Sequence, residues 1–371
     1  MNLLTLTAEN YRNIPSARLS FSPGVNLLYG ENAQGKTNAL ECIYLFARGK
    51  SYRGAGDENL VRFGEKGFRI GISFSSETGE QTLEYRYFDG SRKRLKNGAP
   101  VRLSEMIGHF RAVLFCPEHL SLVKGAPQER RAFLNIALSQ CRPVYLKLCD
   151  DYNKILENRN CLLKEIQKGF RYDREELYSW TERLTDTAAE IAAYRIRYLK
   201  KLAPHAADLL SDLSGEKEKL ALSYESEAEG ETEEEIRTSY KRLFSEKIDR
   251  EIAAGCTLFG AHRDDMEIRI NDISARSFAS QGQQRSVVLA LKLAEGEVCR
   301  DETGEYPVFL FDDVMSELDA TRRGYVLRET GGRQVILTAC EFGGFDPGSV
   351  HAIGVSGGTF TERTGNGGKT L

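Results

Sequence analysis

The chain has 371 residues, of which 41% are hydrophobic and 28% charged, and its formal net charge is −3 at pH 7. The length suffices for two domains or for one domain with a large insertion, and the composition is ordinary for a soluble globular protein. No apolar run approaches the ~18 residues of a membrane span, and the start MNLLTLTAENYRNI lacks the features of a secretory signal. The eight cysteines form no C-x-x-C pair, which argues against zinc and favours a reduced, cytoplasmic protein.

The first ~120 residues alternate strand-like runs with turns. Leu3–Thr7, Phe68–Phe74 and Thr82–Phe88 alternate in polarity or carry β-branched and aromatic residues. Asp89-Gly90 is a hairpin signal, because both residues tolerate the positive φ that a two-residue turn needs. This part of the chain is therefore predicted to be rich in β-strands.

A phosphate-binding loop lies within the same region. It matches G-x-x-x-x-G-K-[ST] and consists of Gly30, Glu31, Asn32, Ala33, Gln34, Gly35, Lys36 and Thr37. The glycines allow a tight turn whose N–H groups point at phosphate oxygens, Lys36 reaches the β- and γ-phosphates, and the Thr37 hydroxyl ligates Mg²⁺. An apolar strand, Val25–Tyr29, precedes the loop and a helical pattern follows it, so the sequence predicts a nucleotide site.

The middle of the chain has a different character. Long helical patterns begin near Gln128 and are clearest over Asp150–Lys168 and Trp180–Lys201. The stretch Tyr224–Glu235 contains SEAEGETEEE and is predicted to be a solvated acidic loop. The mixed strand and helix pattern returns after Gly255. We therefore predict an α/β ATPase head in two lobes, residues 1–125 and 255–371, interrupted by a helical arm at 126–254.

A second group of motifs lies in the last third of the chain. Val308–Phe311 is an apolar strand that ends in Asp312 and Asp313, the form of a Walker B element. Asp312 is predicted to hold Mg²⁺ through water, and Asp313 to orient or deprotonate the attacking water. Upstream, the run from Ser280 to Arg285, SQGQQR, opens a helix, and Ser280 is a good N-cap for it.

These motifs form an ordered set. Ser316-Glu317-Leu318-Asp319 follows the double acid directly. A P-loop, a serine-glycine signature, a double-acid strand and S-E-L-D occur in this order in ABC-type ATPases. In that class the signature of one subunit closes on the nucleotide held by another, so Ser280, Gly282 and Gln283 are predicted nucleotide contacts.

Longer segments carry a resemblance to the RecF family of bacterial recombination and repair ATPases. The similar segments span nearly the whole chain and are ENYRNI, YGENAQGKTNALECIYLFARGKSYR, FCPEHLSLVKGAPQERRAFLN, GAHRDD, SFASQGQQRSVVLALKLAE and FLFDDVMSELD. The resemblance implies an ABC/SMC-like P-loop ATPase head with a short helical arm. It also implies ATP and Mg²⁺ as ligands, an ATP-dependent homodimer on gapped or junction DNA, slow hydrolysis used as a switch, and RecR-type mediators that promote RecA loading.

Two features depart from the wider ABC pattern. Many ABC ATPases place a glutamate where this chain has Asp313, and Thr338-Ala339 occupies the position of a switch histidine. A Q-loop glutamine is not identifiable, because the strand Arg111–Phe115 runs into Cys116-Pro117-Glu118. The coupling between nucleotide and conformation is therefore not derivable from the motifs.

Two other functions remain open at this point. One is the ATPase subunit of a transporter, although no apolar coupling surface is recognisable. The other is an ATPase that gates a nuclease, for which His262-Arg263-Asp264-Asp265, with Asp272, would be the only seed. An isolated H-x-D-D more often forms a structural turn or an ion pair.

DNA contact has to come from local basic clusters, since the net charge is slightly negative. The candidates are Arg92, Lys93, Arg94 and Lys96; Arg130 and Arg131; and Arg195, Arg197, Lys200 and Lys201. For any one cluster, a solvated charged face is as good an interpretation as a phosphate contact.

Overall fold

The computed structural model describes residues 1–170, 174–315, 318–342, 350–362 and 369–370. The chain forms two compact units, one made of 1–119 and 291–371 and the other of 120–290. The predicted division into two head lobes and an arm at 126–254 stays a prediction. In the part of the chain that is described, no helix combines the length and the apolar character that a membrane crossing requires.

The strands, in chain order, are β1 (Asn2–Tyr11), β2 (Ile14–Ser20), β3 (Val25–Tyr29), β4 (Gly67–Ser76), β5 (Gly79–Phe88), β6 (Ser91–Lys96), β7 (Ala99–Pro100), β8 (Ala112–Phe115), β9 (Leu220–Glu225), β10 (Asp265–Ile270), β11 (Ile273–Ser274), β12 (Val308–Phe311), β13 (Val335–Ala339), β14 (Val350–Ser356), β15 (Thr359–Glu362) and β16 (Lys369–Thr370). The helices are α1 (Lys36–Arg48), α2 (Leu103–Met106), α3 (Ser121–Lys124), α4 (Pro127–Cys141), α5 (Pro143–Gln167), α6 (Arg174–Ser214), α7 (Glu233–Glu246), α8 (Ile248–Ala254), α9 (Ala275–Phe278), α10 (Gln281–Thr303) and α11 (Ala320–Glu329).

The first unit contains a sheet in the order β16-β15-β14-β3-β13-β12-β8. Its strands from β14 to β8 run parallel. Strands buried on both faces read as continuous apolar runs, and β12 and β8 are buried at every residue. The predicted strands at Val25–Tyr29 and Val308–Phe311 are confirmed, and they lie in this sheet with only β13 between them.

The other sheet of the first unit is antiparallel, in the order β2-β1-β4-β5-β6-β7. The predicted strands over Leu3–Thr7, Phe68–Phe74 and Thr82–Phe88 are confirmed as parts of β1, β4 and β5. Asp89 and Gly90 form the turn into β6 with φ values of 45° and 82°. Positive φ at both positions matches the right-handed twist of the flanking strands.

The second unit combines the helices α3 to α9 with a small sheet in the order β11-β10-β9. The predicted helices at Asp150–Lys168 and Trp180–Lys201 are confirmed and lie within α5 and α6. Leu162 and Leu163 pack with Leu177 between these helices. The apolar stripe of each helix thus buries itself against its neighbour, which stabilises the pair.

The acidic stretch before α7 differs in part from its prediction as a loop. Glu233 to Glu235 form the first turn of α7. The Thr232 hydroxyl accepts the backbone N–H of Glu235, and the Glu235 carboxylate accepts the N–H of Thr232 at 3.0 Å. This capping box satisfies free N–H groups, and carboxylates are favoured at the positive end of the helix dipole, so the acidic run begins a helix.

Candidate nucleotide-binding site

The P-loop connects β3 to α1 and needs both of its glycines. Gly30 has φ of 153° and Gly35 has φ of 118°. A Cβ on Gly30 would lie 2.2 Å from the carbonyl oxygen of Val355, and one on Gly35 would lie 2.9 Å from Oδ1 of Asn13. Any side chain at either position would therefore clash as well as strain the backbone.

Lys36 begins α1 directly behind the loop. Its Nζ donates to the carbonyl oxygens of Gly30 and Glu31, the latter at 2.9 Å. The residue is only 5% exposed. The ammonium is thus held inside the loop by backbone oxygens, at the N-terminus of a helix, where anions are favoured.

The loop is also held from outside. Gln34 accepts two backbone N–H groups from the turn between β14 and β15: Gly357 donates to Oε1 at 2.6 Å and Gly358 to the carbonyl oxygen at 2.8 Å. The Asn32 side chain accepts the thiol of Cys340 at 3.2 Å. Glu31, Asn32 and Ala33 are exposed at the tip. These bonds fix the loop in place while its tip stays open to a ligand.

Asp312, at the carboxyl end of β12, is surrounded by hydroxyl donors. Oδ1 accepts Thr37 Oγ1 at 2.9 Å and Thr338 Oγ1 at 3.1 Å, while Oδ2 accepts the Tyr52 hydroxyl at 2.7 Å. Burial raises the pKa of Asp312, and the bonds from Tyr52, Thr37 and Thr338 oppose that rise. The structure therefore brings together Thr37 and Asp312, the two predicted magnesium ligands.

The donor set at this point fits Mg²⁺. This ion prefers oxygen ligands and commonly uses one or two protein groups with water and phosphate oxygens. Thr37 Oγ1 and Asp312 Oδ1 are 2.9 Å apart, close enough to share one octahedral cation. Beyond this pair, the described residues contain no cluster of three or more histidine, cysteine or acidic side chains that could hold a metal.

Asp313 lies beside the P-loop in a strained backbone conformation. Its φ is 55°, which is uncommon for a residue other than glycine. Its N–H donates to Oγ1 of Thr338 at 2.8 Å. Thr338 therefore contacts both acids, whereas its position in the motifs marks it only as the residue in place of a switch histidine.

A cleft of about 410 Å³ opens over the loop. Its lining residues come from the P-loop and its flanks and are Arg12, Asn13, Asn32, Ala33, Gln34, Gly35, Lys36, Thr37, Asn38, Arg53 and Asp313. Arg12, Asn13, Asn38 and Arg53 were not among the predicted site residues. Arg12 and Asn13 come from the turn between β1 and β2, and Arg53 from the loop after α1. The volume is in the usual range of small-molecule sites.

Arg12 is fixed in the cleft by a buried carboxylate. Its guanidinium makes a bidentate pair with Glu41 of α1, at 3.0 Å and 2.9 Å. This pairing raises the pKa of Arg12. Bidentate pairs give geometric specificity as well as energy, so Arg12 is preorganised rather than mobile.

The signature segment belongs to the second unit. Ser280 Oγ accepts the N–H of Gln283 at 3.2 Å, and Gln283 Oε1 accepts the N–H of Ser280 at 2.9 Å. The prediction of Ser280 as an N-cap is confirmed; its exposed side chain precedes α10, and Gly282 lies in the first turn. Of the S-E-L-D motif, Ser316 and Glu317 lie outside the described residues, and Asp319 caps α11.

The H-x-D-D segment has structural partners. Tyr152 contacts Nδ1 of His262 at 2.7 Å, Asp264 accepts the hydroxyls of Tyr224 and Tyr240, and Asp265 accepts a bidentate pair from Arg130. Burial lowers the pKa of His262 to about 4. The segment is therefore a hydrogen-bonded turn, as favoured above, and gives no support to a nuclease centre.

Two of the candidate DNA-binding arginines are not available to DNA. Arg130 is buried and bonded to Asp265 and to two carbonyl oxygens. Arg195 is 3% exposed and donates to Tyr145, Tyr224, Asn135 and the carbonyl of Ala261. Their suggested role in DNA contact was wrong, because the sequence does not reveal that these side chains satisfy buried polar groups.

The parallel sheet with its P-loop, together with the two acids that follow β12, makes the chain an α/β ATPase head of the ABC/SMC type. The SMC head domain of Pyrococcus furiosus shares this fold, with a TM-score of 0.55 at 16% identity over 100% of this chain and 96% of that chain. Residues 2–345 match the family model described as RecF/RecN/SMC N terminal domain. Within that class, the chain belongs to the RecF family, because relatives of that name are 38% to 39% identical over most of its length.

Individual RecF proteins align with this chain over nearly its full length. A protein of Desulfitobacterium hafniense named DNA replication and repair protein RecF is 39% identical over 341 residues, covering 91% of this chain and 93% of the relative. One of Limosilactobacillus fermentum with the same name is 38% identical over 370 residues, covering 98% and 99%. The solved structure of a recombination mediator protein RecF with ATP, from the RecFOR pathway, is 34% identical with a TM-score of 0.91 over 98% of each chain.

Proposed function

We propose that this protein is an ATP-dependent DNA-binding switch of recombinational repair and replication restart, acting in the cytoplasm. The observation that carries the proposal is the meeting of Lys36, Thr37 and Asp313 around one cleft, with Asp312 bonded to Thr37, in a chain similar to an ATP-bound RecF. ATP binds in the cleft, with its phosphates toward Lys36 and the N-terminus of α1. Thr37 and Asp312 hold Mg²⁺, which neutralises phosphate charge when bound.

Hydrolysis is slow in this proposal because Asp313 has limited reach. Its carboxylate is one methylene shorter than the glutamate of many ABC ATPases, and its backbone is tied to Thr338. Asp313 orients or deprotonates a water beside the γ-phosphate. A long-lived ATP state suits a clamp that marks gapped or junction DNA until RecR-type mediators promote RecA loading.

Nucleotide binding controls dimerisation in this scheme. The exposed N-terminus of α10, with Ser280, Gly282 and Gln283, contacts the ATP held by the P-loop of a second copy. Free N–H groups at a helix N-terminus are suited to bind a phosphate. ATP would then join two copies, and hydrolysis would release them.

The test of dimerisation is sedimentation of the protein with and without ATP and duplex DNA. Ser280→Arg places a bulky cation at the proposed contact and should leave a monomer that still binds ATP. Ser277→Arg, on the preceding short helix α9, is the matched control and should dimerise as the parent does. A Ser280→Arg protein that dimerises normally with ATP would refute the composite site.

For DNA contact, a row of cations on the antiparallel sheet is a better candidate than the buried arginines. Arg69, Arg86 and Lys93 lie directly opposite one another on β4, β5 and β6. Residues opposite one another share a face of the sheet, and neighbouring strands are ~4.8 Å apart, so the three cations lie within about 10 Å. Glu84 pairs with Arg69 and Arg86, and Glu9 of β1 lies directly opposite Arg69. The three cations outnumber these two acids by one.

Lys93 belongs to the predicted basic cluster on β6, and the other three members of that cluster have partners within the protein. Arg92 pairs with Asp57, Arg94 lies 4.8 Å from the ring centre of Tyr85, and Lys96 contacts His109. Lys93 is exposed on the opposite face of β6 from these three. Alternation along the strand thus separates Lys93 from the cations that serve the structure.

The DNA proposal is tested by neutralising Arg69, Arg86 and Lys93 together to glutamine. Duplex affinity should fall for every base sequence, and the slope of log K against log salt should drop by ~1 for each phosphate that the variant no longer binds. The control replaces three exposed arginines off this sheet, Arg102, Arg323 and Arg328, by glutamine. Equally weakened binding in both variants would show only a general charge effect and would remove the sheet face as the DNA surface.

A further inference from the structure

Tyr52 joins the nucleotide site from a segment that no motif marks. It lies in the loop after α1, and its hydroxyl donates to Oδ2 of Asp312, 260 positions further along the chain, at 2.7 Å. The hydroxyls of Thr37 and Thr338 both donate to the other oxygen, Oδ1. The two carboxylate oxygens therefore have different donors: Tyr52 bonds to Oδ2, and the two threonines bond to Oδ1.

The hydroxyl of Tyr52 is held in place by its neighbours as well as by Asp312. Ser51 donates to the fully buried carboxylate of Glu41, and the N–H of Arg53 donates to Oγ of Ser51 at 3.1 Å. The Tyr52 ring meets Tyr44 edge to face with 6.0 Å between ring centres. The bonds of the flanking residues fix the backbone and the contact with Tyr44 fixes the ring, so the hydroxyl donor is preorganised.

We propose that Tyr52 is a positioning residue for the magnesium-binding carboxylate, a role that rests on the proposed function of the cleft. By occupying Oδ2, Tyr52 turns Oδ1 toward the Thr37 hydroxyl. A cation held through Oδ1 would meet the hydroxyls of Thr37 and Thr338 there, whereas it would leave the bond from Tyr52 to Oδ2 in place. Tyr52 acts on metal binding through Asp312 and makes no contact with the nucleotide in this proposal.

Tyr52→Phe isolates this role, because it removes one oxygen and keeps the ring. The measurement is binding of a fluorescent ATP analogue during a Mg²⁺ titration, and again in excess chelator. We expect the half-saturating Mg²⁺ concentration to rise about ten-fold, the order expected for removal of a hydrogen bond to a charged group. Affinity in chelator should stay within about two-fold of the parent, since the phosphate-binding loop is unchanged.

Tyr44→Phe is the matched control, a buried tyrosine of the same aromatic pair whose hydroxyl does not reach Asp312. It should bind Mg²⁺ as the parent does. The proposal is overturned if Tyr52→Phe keeps the parent's Mg²⁺ midpoint, or if its affinity falls equally with and without Mg²⁺, as a packing role would cause. A parent protein that binds no nucleotide would instead overturn the function proposed for the cleft, and this role with it.

Discussion

Thr338 donates its hydroxyl hydrogen to Oδ1 of Asp312 across the adjacent parallel strands β13 and β12, at 3.1 Å. The same hydroxyl oxygen accepts the N–H of Asp313 at 2.8 Å. Thr338 thus links the acid that would hold the cation to the acid that would position water. In a site of this kind, a neutral hydroxyl stabilises both groups without adding charge.

Thr338→Val should slow ATP hydrolysis with little change in fold. Valine has the shape of threonine but lacks the hydroxyl, so Asp312 loses one donor and the N–H of Asp313 loses its acceptor. Removal of a hydrogen bond to a charged group corresponds to about 2 kcal/mol, or a rate some 30-fold lower. Phosphate release at saturating ATP measures it.

The control for this prediction is Thr330→Val. Thr330 is also buried, but its hydroxyl donates to the carbonyl of Val326 in α11 and does not reach the acids. This variant should lose stability without losing turnover at saturating ATP. If both variants hydrolyse ATP at the parent rate, Thr338 has no part in the reaction.

Lys36→Met should abolish productive ATP binding while the protein stays folded. The ammonium donates to two carbonyl oxygens of the loop, and methionine fills most of the buried volume of Lys36 without its charge. Isothermal titration with ATP measures the loss, and circular dichroism checks the fold. Undiminished turnover by a folded variant would contradict the assignment of the P-loop.

Asp312→Asn and Asp313→Asn should impair different steps of ATP binding and hydrolysis. Asparagine tolerates the positive φ at position 313, so Asp313→Asn removes the base and keeps the backbone. ATP should still bind, dimerise the protein and persist, and dissociation from DNA should slow at least several-fold. Asp312→Asn removes a cation ligand and should weaken both closure and turnover.

Dissociation rates from DNA under matched salt and ATP decide this comparison. The Asp313→Asn protein should leave DNA at the parent rate when ATP is absent, which controls for direct effects on DNA contact. If it leaves as fast as the parent with ATP present and also hydrolyses ATP normally, hydrolysis does not time release and Asp313 does not position water.

The free energy of unfolding should fall in mild acid because of His262. Its pKa in the folded protein is lowered to about 4 by burial, with Arg263, Arg131 and Arg159 acting in the same direction. The unfolded chain binds this proton near its ordinary pKa of ~6.5, so stability is present above that value and is lost as pH falls toward the folded pKa. The loss is at most about 2 kcal/mol at pH 5.

Thermal unfolding between pH 7.5 and pH 5 measures this effect in the parent and in His262→Gln. The variant should be less stable at neutral pH, because the contact with Tyr152 changes, but its unfolding temperature should depend less on pH. An equal pH dependence in both proteins would assign the acid sensitivity to other groups.

The P-loop, the capped start of α10 and strand β12 could be predicted because the geometry of each depends mainly on residues close together in the sequence. The P-loop requires Gly30 and Gly35 at a fixed spacing, and the capped helix start requires Ser280 with Gln283 three positions later. The apolar run Val308–Phe311 marks a strand buried on both faces. Backbone conformation, hydrogen bonding to nearby N–H groups and the period of burial are all properties of short segments, so these elements could be predicted from the sequence.

Tertiary structure alone decided which distant residues complete the site and which charged residues stay available. Thr338 reaches Asp312 because β13 lies beside β12, and Tyr52 reaches it from the loop after α1. No local period encodes contacts across 26 and 260 positions. Likewise, the sequence around an arginine does not show whether its side chain is buried. Arg195 is buried because oxygens from remote segments, among them the carbonyl of Ala261, satisfy its donors, and a buried cation is tolerated only where folding supplies such partners.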